Sequence, residues 1–160
     1  MKMSNRQYSD STLCGEFIQI AKSVVSKFPD LKHSWEISTD KTSCSLNFPK
    51  QNDVGFDVLV KVLPDGITVL GEGVHQHFDS DESSNESEIT EALALVRDLL
   101  SPHMRIREFR AGKSAYRWNM ETFRDNEWHR ECTTTLLFWN YFGRRSEVIF
   151  QNKTLPGRSN

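Results

Sequence analysis

The sequence lacks the features that mark membrane-bound, secreted and metal-stabilised proteins. No hydrophobic run approaches the length of a membrane span, and the first residues contain no apolar stretch of the kind that signal peptides carry. The three cysteines, Cys14, Cys44 and Cys132, are far apart in the sequence and have no metal-ligand spacing. We therefore expect a cytoplasmic protein with reduced thiols and no membrane association.

Complete motifs for catalysis or phosphate binding are also missing. The Gly-Lys-Ser segment at 112–114 matches the end of a phosphate-binding loop, but Arg107 stands where that motif has its first glycine. Cys132 and His129 could supply a nucleophile and a base, yet both fall in a predicted strand with no strained elbow around them. We expect a protein that is not an enzyme and carries no cofactor.

Extremes of composition are absent as well. The 160 residues are 37% hydrophobic and 26% charged, which is typical of one globular domain, here predicted to span 1–160. Net charge is only −2, but residues 1–90 hold 8 Lys or Arg against 14 Asp or Glu (−6), and residues 91–160 hold 12 against 8 (+4). The opposite signs favour either docking between the halves or an acidic partner for the second half.

Apolar residues at helical spacing occur in two segments. The first predicts a helix from an N-cap at Ser11 to about Phe28, which precedes a proline. The second predicts a helix that follows an acidic stretch and ends before Pro102. The two helices are about 72 residues apart, and short alternating strands follow each. This spacing suggests a duplication, with half-repeats at about 11–78 and 86–151 and loose ends at about 1–9 and 153–160.

Alternating apolar and polar residues predict four strands after each helix, the fourth starting near Ile67 and able to continue past Gly73 to Phe78. Short turns make neighbouring strands antiparallel, and each helix has one apolar stripe to bury. The predicted fold is therefore α+β, with two helices packed on one face of a single curved antiparallel sheet, in the order α-β4-α-β4. This order resembles the pseudo-twofold saddle of TATA-binding-protein-like folds, a resemblance that implies no function.

Arginines dominate the predicted hairpin around residue 112. Strand alternation places Arg105 and Arg107 on one side of it with Arg117 and Asn119, and apolar residues on the other. If the apolar side meets the helices, these four polar side chains lie on the open face. We predict a protein-binding surface there. Nucleic acid is the alternative ligand, although carboxylates interleaved with the arginines disfavour phosphate binding.

Aromatic residues are concentrated in the strands and in the last predicted turn. A turn cannot bury every ring of the Phe-Trp-Asn-Tyr-Phe segment at 138–142, so Trp139 and Tyr141 are predicted to extend the binding surface. Tryptophan, tyrosine and arginine are the residue types that contribute most at protein interfaces.

His75 and His77 are the best candidates for a chemical site. One residue separates them on a predicted strand, so both imidazoles project to the same side. Two imidazoles can begin a transition-metal site, which Glu72, Asp79 or His129 would complete. Because nothing nearby in the sequence fixes a third ligand, we assign no metal. A metal-dependent hydrolase or a small-ligand binder centred on this histidine pair remains the alternative.

These patterns predict a small non-enzymatic interaction domain. It would present its open sheet face to a protein partner and regulate it, in the way that bacterial immunity proteins neutralise their targets. An exposed sheet edge could also pair two copies of the chain into a homodimer.

Overall fold

The computed structural model describes residues 12–79, 84–137 and 142–157. Within these ranges the chain is mixed α+β, with more strand than helix, and none of its helices is long and apolar enough to cross a membrane. In chain order the elements are α1 (Leu13–Val25), β1 (Ser34–Ile37), β2 (Cys44–Phe48), β3 (Val58–Leu63), β4 (Gly66–Gly71), β5 (Val74–Phe78), α2 (Asn85–Leu99), β6 (Met104–Ala111), β7 (Ser114–Arg124), β8 (Glu127–Thr135) and β9 (Arg145–Phe150).

Helix α1 begins after Thr12, whose hydroxyl accepts a hydrogen bond from the Gly15 N–H at 3.1 Å. The predicted cap, Ser11, lies outside the described residues. The helix ends at Val25 rather than at Phe28, because a residue that precedes proline disfavours helical geometry and the Phe28 N–H instead closes a tight turn on the Val25 carbonyl. Its buried stripe consists of Leu13, Cys14, Phe17, Ala21 and Val25.

Helix α2 is capped in the same way by Ser84, whose hydroxyl accepts a hydrogen bond from the Ser87 N–H at 3.3 Å. It ends at Leu99, before Pro102, as the sequence predicts. Its buried stripe contains a carboxylate, Glu88, among apolar residues.

The five strands β1 to β5 form one antiparallel sheet in sequence order. The prediction of four strands in this half was wrong, because a tight turn at residues 72–73 divides the fourth into β4 and β5. Gly73 permits this turn since its φ of +68° lies in the left-handed region. The order is therefore one helix and five strands, then one helix and four strands, instead of α-β4-α-β4.

The strands β6 to β9 form a second antiparallel sheet in the order β8-β7-β6-β9. The prediction of one continuous sheet was wrong: among the described strands, none of the second half pairs with one of the first. Strand β6 pairs with β7 on one side and β9 on the other, which leaves it no free edge for the first sheet. Because the two sheets differ in strand number and order, the duplication is not confirmed.

Both helices lie on one face of the five-stranded sheet. Helix α1 contacts β3 and α2 contacts β4. Val60 of β3 and Val69 of β4 are cross-strand partners, and both are buried on that face.

The second sheet meets the first where β4 turns into β5. A Cβ atom at Gly71 would lie 3.2 Å from Cδ1 of Ile106, and one at Gly73 would collide with the Trp118 ring. Ile106 and Trp118 are buried on the side of the second sheet that faces the first, which we call its inner face. The opposite side is its outer face.

The last described residues return to the core. Leu155 is buried, and the N–H groups of Thr154 and Leu155 each lie 3.0 Å from the Leu100 carbonyl, to which they donate. Residues 153–157 are therefore not the loose end that was predicted. Residues 158–160 and the predicted loose start at 1–9 lie outside the described residues.

Candidate functional site

The outer face of the second sheet carries arginines, carboxylates and aromatic rings in neighbouring positions. The register places Arg105 opposite Glu121, Arg107 opposite Asn119, and Phe109 opposite Arg117, so all of these side chains share one side of β6 and β7. We call this surface the arginine face. It consists of Arg105, Arg107, Phe109, Arg117, Asn119, Glu121, Phe123, Trp128, Glu147 and Ile149.

Glu121 lies at the centre of the arginine face and pairs with two arginines. Its Oε2 accepts a hydrogen bond from Nε of Arg105 at 2.7 Å, and its Oε1 lies 3.0 Å from Nε of Arg107. The Glu121 side chain is only 8% exposed and that of Arg105 13%. Both charges are thus largely removed from water, where an ion pair depends on good geometry.

Arg107 extends the row to the edge strand β9. Its Nη1 donates to Oε2 of Glu147 at 3.0 Å, so one guanidinium links two carboxylates on different strands. Burial acts to lower the pKa of Arg107, but its hydrogen bonds and charge interactions with Glu121 and Glu147 outweigh burial and raise that pKa. Arg107 is therefore held as a cation by its neighbours.

Aromatic rings stack against the remaining arginines. The guanidinium carbon of Arg105 lies 4.0 Å from the centre of the Trp128 ring, and that of Arg117 lies 3.9 Å from the centre of the Phe109 ring. Both are within the range of favourable cation–π contacts. Nε of Arg117 is buried and has no hydrogen-bond partner among the described residues. The row thus crosses all four strands, from Glu147 on β9 to Trp128 on β8.

Exposed apolar side chains lie within and beside this row. Phe123 is 37% exposed and Ile149 is 42% exposed on the face itself. Leu137, just beyond β8, is 89% exposed. Two residues that the sequence assigned to the same surface, Trp139 and Tyr141, lie outside the described residues.

The ion pairs of Arg105 and Arg107 disfavour phosphate as a ligand of the arginine face. The guanidinium groups of Arg105 and Arg107 are already engaged by carboxylates, so a phosphate would have to displace those carboxylates to bind there. The apolar rings and the fixed polar row instead match the mixed composition of protein-binding surfaces. Of the carboxylates interleaved with these arginines in the sequence, Glu121 contacts Arg105 and Arg107 directly.

A second polar cluster lies on the inner face. Glu108 is 3% exposed, accepts a hydrogen bond from Nε1 of Trp118 at 2.7 Å, and pairs with Arg110. Burial, followed by the charges of Glu108 and Asp57, raises the pKa of Glu72 near this cluster. Both carboxylate oxygens of Glu108 thus have partners within the protein. We therefore interpret this cluster as one that stabilises the packing of the two sheets.

His75 and His77 lie on β5 and, as the alternation implies, share one side of it, opposite Leu70 and Thr68 of β4. Both are exposed. Nδ1 of His77 is hydrogen-bonded to the Thr68 hydroxyl at 2.9 Å. Among the described residues no three His, Cys, Asp or Glu side chains converge as metal ligands, and His129 lies on β8 of the other sheet.

Cys132 and His129 both lie on β8, but the environment of the cysteine does not favour a nucleophile. Burial is the main cause that raises the pKa of the Cys132 thiol, and the charge of Glu131 raises it further. A reactive cysteine needs the opposite shift, since the thiolate is the nucleophile. The buried Nε2 of His129 has no hydrogen-bond partner among the described residues.

Among the members of the arginine face that sequence reasoning missed, Glu147 and Trp128 form the two ends of its row of contacts. Trp128 follows β7 by one tight turn, so its side of the sheet could have been found from strand alternation. Glu147 could not, because its position beside Arg107 depends on the long-range pairing of β9 with β6. Comparison of the chain with protein-family models, curated proteins and solved structures found no match.

Proposed function

We propose that this chain is a non-enzymatic interaction domain whose arginine face binds a protein partner. The observation that carries the proposal is the row of contacts from Glu147 through Arg107, Glu121 and Arg105 to Trp128. Arginine and tryptophan are enriched among the residues that dominate binding energy at interfaces.

The rigidity of this row supports a binding role. Ordering a long side chain at an interface costs about 0.5–1.5 kcal/mol. Ion pairs and ring stacking already restrain the side chains of Arg105, Arg107 and Arg117. The free-energy cost of ordering them when a partner binds is therefore smaller.

The chemistry of the face points to a partner with mixed polar and apolar character. Phe123 and Ile149 offer exposed apolar surface, and Glu147, on the same strand as Ile149, has a side chain that is 48% exposed. A partner that supplies an apolar side chain and a hydrogen-bond donor would complement both. Binding of this type is suited to regulating the partner, including neutralising it as immunity proteins do. We place the domain in the cytoplasm, which its three free cysteines support.

Capture from the native host with a matched pair of variants tests this proposal. Ile149→Asp introduces a charge on the arginine face, and Leu63→Asp introduces the same charge at a similarly exposed strand position of the other sheet (42% against 48% exposed). We expect a protein that the wild type and Leu63→Asp both retain and that Ile149→Asp loses, with purified components showing at least about thirtyfold weaker binding for Ile149→Asp.

Three results would contradict the proposal. Loss of the captured protein in both variants would point to unfolding, which circular dichroism of each variant detects, or to a different surface. Retention in both would remove the arginine face from the interface. Recovery of the same chain alone, with a dimer in sedimentation, would replace the partner with a homodimer formed through a sheet edge.

Nucleic acid would give a different signature in the same material. Its binding would weaken steeply as salt is added, and Arg117→Gln would reduce the salt dependence. Absence of binding to single-stranded DNA and RNA at low salt excludes that alternative.

A further inference from the structure

A cavity opens between the two helices, and none of its lining residues belongs to the arginine face. Its volume is about 450 Å³. The floor is made of buried side chains that include Phe48, Val96 and Leu100, and the rim is made of half-buried ones that include Val24 and Leu93.

The size of the cavity fits a small organic ligand. Small-molecule sites usually measure about 300–1,000 Å³ and are lined mainly by apolar side chains. A Leu-, Ile- and Phe-lined cavity of about 150 Å³ already accommodates benzene, so the present one has room for a longer aliphatic group.

The polar groups of the lining are confined to one stripe of α2. Thr90 and Arg97 are the only polar side chains among the described residues that line the cavity, and no described acidic side chain lines it. Both are exposed, which places them at the mouth. The Thr90 hydroxyl donates to the Glu86 carbonyl at 2.7 Å, which leaves its oxygen lone pairs as acceptors.

Arg97 is the charged group of this mouth. Among the described residues it has no hydrogen-bond or ion-pair partner, in contrast to Arg105 and Arg107 of the arginine face. A guanidinium at the entrance of an apolar cavity complements an anion whose remaining part is aliphatic.

We propose that this cavity binds a single-chain amphipathic carboxylate, with the aliphatic chain between the helices and the carboxylate on Arg97. The ligand is an anion because the only charge in the lining is positive. It is a small molecule because a volume of about 450 Å³ lies within the range of small-molecule sites. The site is independent of the arginine face, so either proposal can fail without the other.

Titration with decanoate below its micellar concentration tests this site. We expect saturable binding of one decanoate per chain to the wild type by calorimetry. Arg97→Gln should weaken decanoate binding at least about tenfold, since a charge-assisted hydrogen bond is lost, and should leave the affinity for uncharged decanol nearly unchanged. Arg130→Gln, which removes an exposed arginine from β8, should leave decanoate binding at the wild-type level.

A second variant tests the cavity itself. Ala94→Trp fills the rim from α2 and should abolish binding of both decanoate and decanol. If this variant does not fold, amide chemical shifts of the wild type provide the same information, because decanoate should then perturb residues around Val24, Leu93 and Leu155 and leave the arginine face unchanged.

The proposal is overturned if decanoate does not bind saturably, or if its shift changes map elsewhere. Equal weakening of decanoate and decanol by Arg97→Gln would also overturn it, since the guanidinium would then not recognise the carboxylate. Binding to anionic phospholipid vesicles without binding to decanoate would indicate a membrane surface as the ligand and would exclude the small-molecule site.

Discussion

The side-chain amide of Asn152 hydrogen-bonds both backbone groups of Phe56. Its Oδ1 accepts from the Phe56 N–H at 3.2 Å, and its Nδ2 donates to the Phe56 carbonyl at 3.1 Å. The same Nδ2 donates to the Leu99 carbonyl, also at 3.1 Å. Asn152 is 1% exposed, so one buried side chain connects the chain after β9 with the segment before β3 and with the end of α2.

Asn152→Ala should therefore destabilise the fold by at least about 2 kcal/mol, because the substitution leaves buried backbone groups without partners. Chemical denaturation monitored by tryptophan fluorescence measures this loss. Lys153→Ala, at the exposed neighbouring position, should change the free energy of unfolding by less than about 0.5 kcal/mol. Equal effects of the two substitutions would show that the Asn152 hydrogen bonds contribute nothing specific.

The two carboxylates that pair with Arg107 allow a second matched comparison. Glu121 is 8% exposed and pairs with two arginines, whereas Glu147 is 48% exposed and pairs with one. Glu121→Gln should destabilise the protein by about 3 kcal/mol, because it leaves the largely buried Arg105 guanidinium without a carboxylate and removes one of the two carboxylates of Arg107. Glu147→Gln should cost less than about 1 kcal/mol. If thermal denaturation gave similar losses for both variants, the arginine face would not be preorganised as the proposed function requires.

Cys14 and Cys44 come from distant parts of the sequence, but α1 brings them into contact. Burial, followed by a hydrogen bond and a charge interaction with Cys14, raises the pKa of the Cys44 thiol to about 12. The Cys44 thiol should therefore be far less ionised at pH 8 than a free thiol. Iodoacetamide should therefore leave Cys44 unmodified in the native protein and label all three cysteines in urea.

Mass spectrometry of tryptic peptides follows that labelling. Modification of Cys44 in the native protein at the rate of a free thiol would contradict the buried position. Slow labelling that accelerates with added urea would instead report local opening of the α1–β2 contact.

How far the sequence predicts this structure depends on the range of the interactions involved. The helix that ends before Pro102 and the shared side of Arg105 and Arg107 follow from local periodicity and were predictable. The turn at Gly73 was not predicted, because the alternation from Ile67 to Phe78 also fits one continuous strand. The contact of Trp118 with Gly73 comes from a strand more than forty residues away, and a local pattern does not contain it.

The same distinction explains what was missed in the candidate site. Strand β9 pairs with β6 and not with its sequence neighbour β8. The alternation within each strand therefore does not predict the contact of Glu147 with Arg107. The cavity at Arg97 depends on the distance between two helices that each bury a predictable stripe. The distance between the two helices is set by how both pack on the same sheet. The two apolar stripes alone do not specify that distance.

Glu88 should make the stability of the protein depend on pH. The residue is 2% exposed, its Oε1 accepts a hydrogen bond from the Ile67 N–H at 3.1 Å, and its Oε2 is buried and has no hydrogen-bond partner among the described residues. Burial raises the pKa of Glu88. The Ile67 N–H and the charge of His77 oppose that shift, and the charge of Asp79 adds to it.

A raised pKa in the folded state means that folding favours the protonated carboxyl. The resulting contribution to the free energy of unfolding is fully present below the pKa of the unfolded chain, about 4.3, and is lost as the pH rises through the folded pKa. The stability of the wild type relative to Glu88→Gln should therefore fall as the pH is raised across that window. Urea denaturation of both proteins at a series of pH values measures the difference.

Glu91→Gln removes an exposed carboxylate from the same helix and so controls for the change in charge of α2. A rise with pH in the stability of the wild type relative to Glu88→Gln would contradict the prediction, because it would mean that the folded protein stabilises the Glu88 carboxylate. The neighbouring His77 would then be the first group to test. If the positive charge of His77 stabilises the Glu88 carboxylate, His77→Gln should restore the expected fall of stability with rising pH.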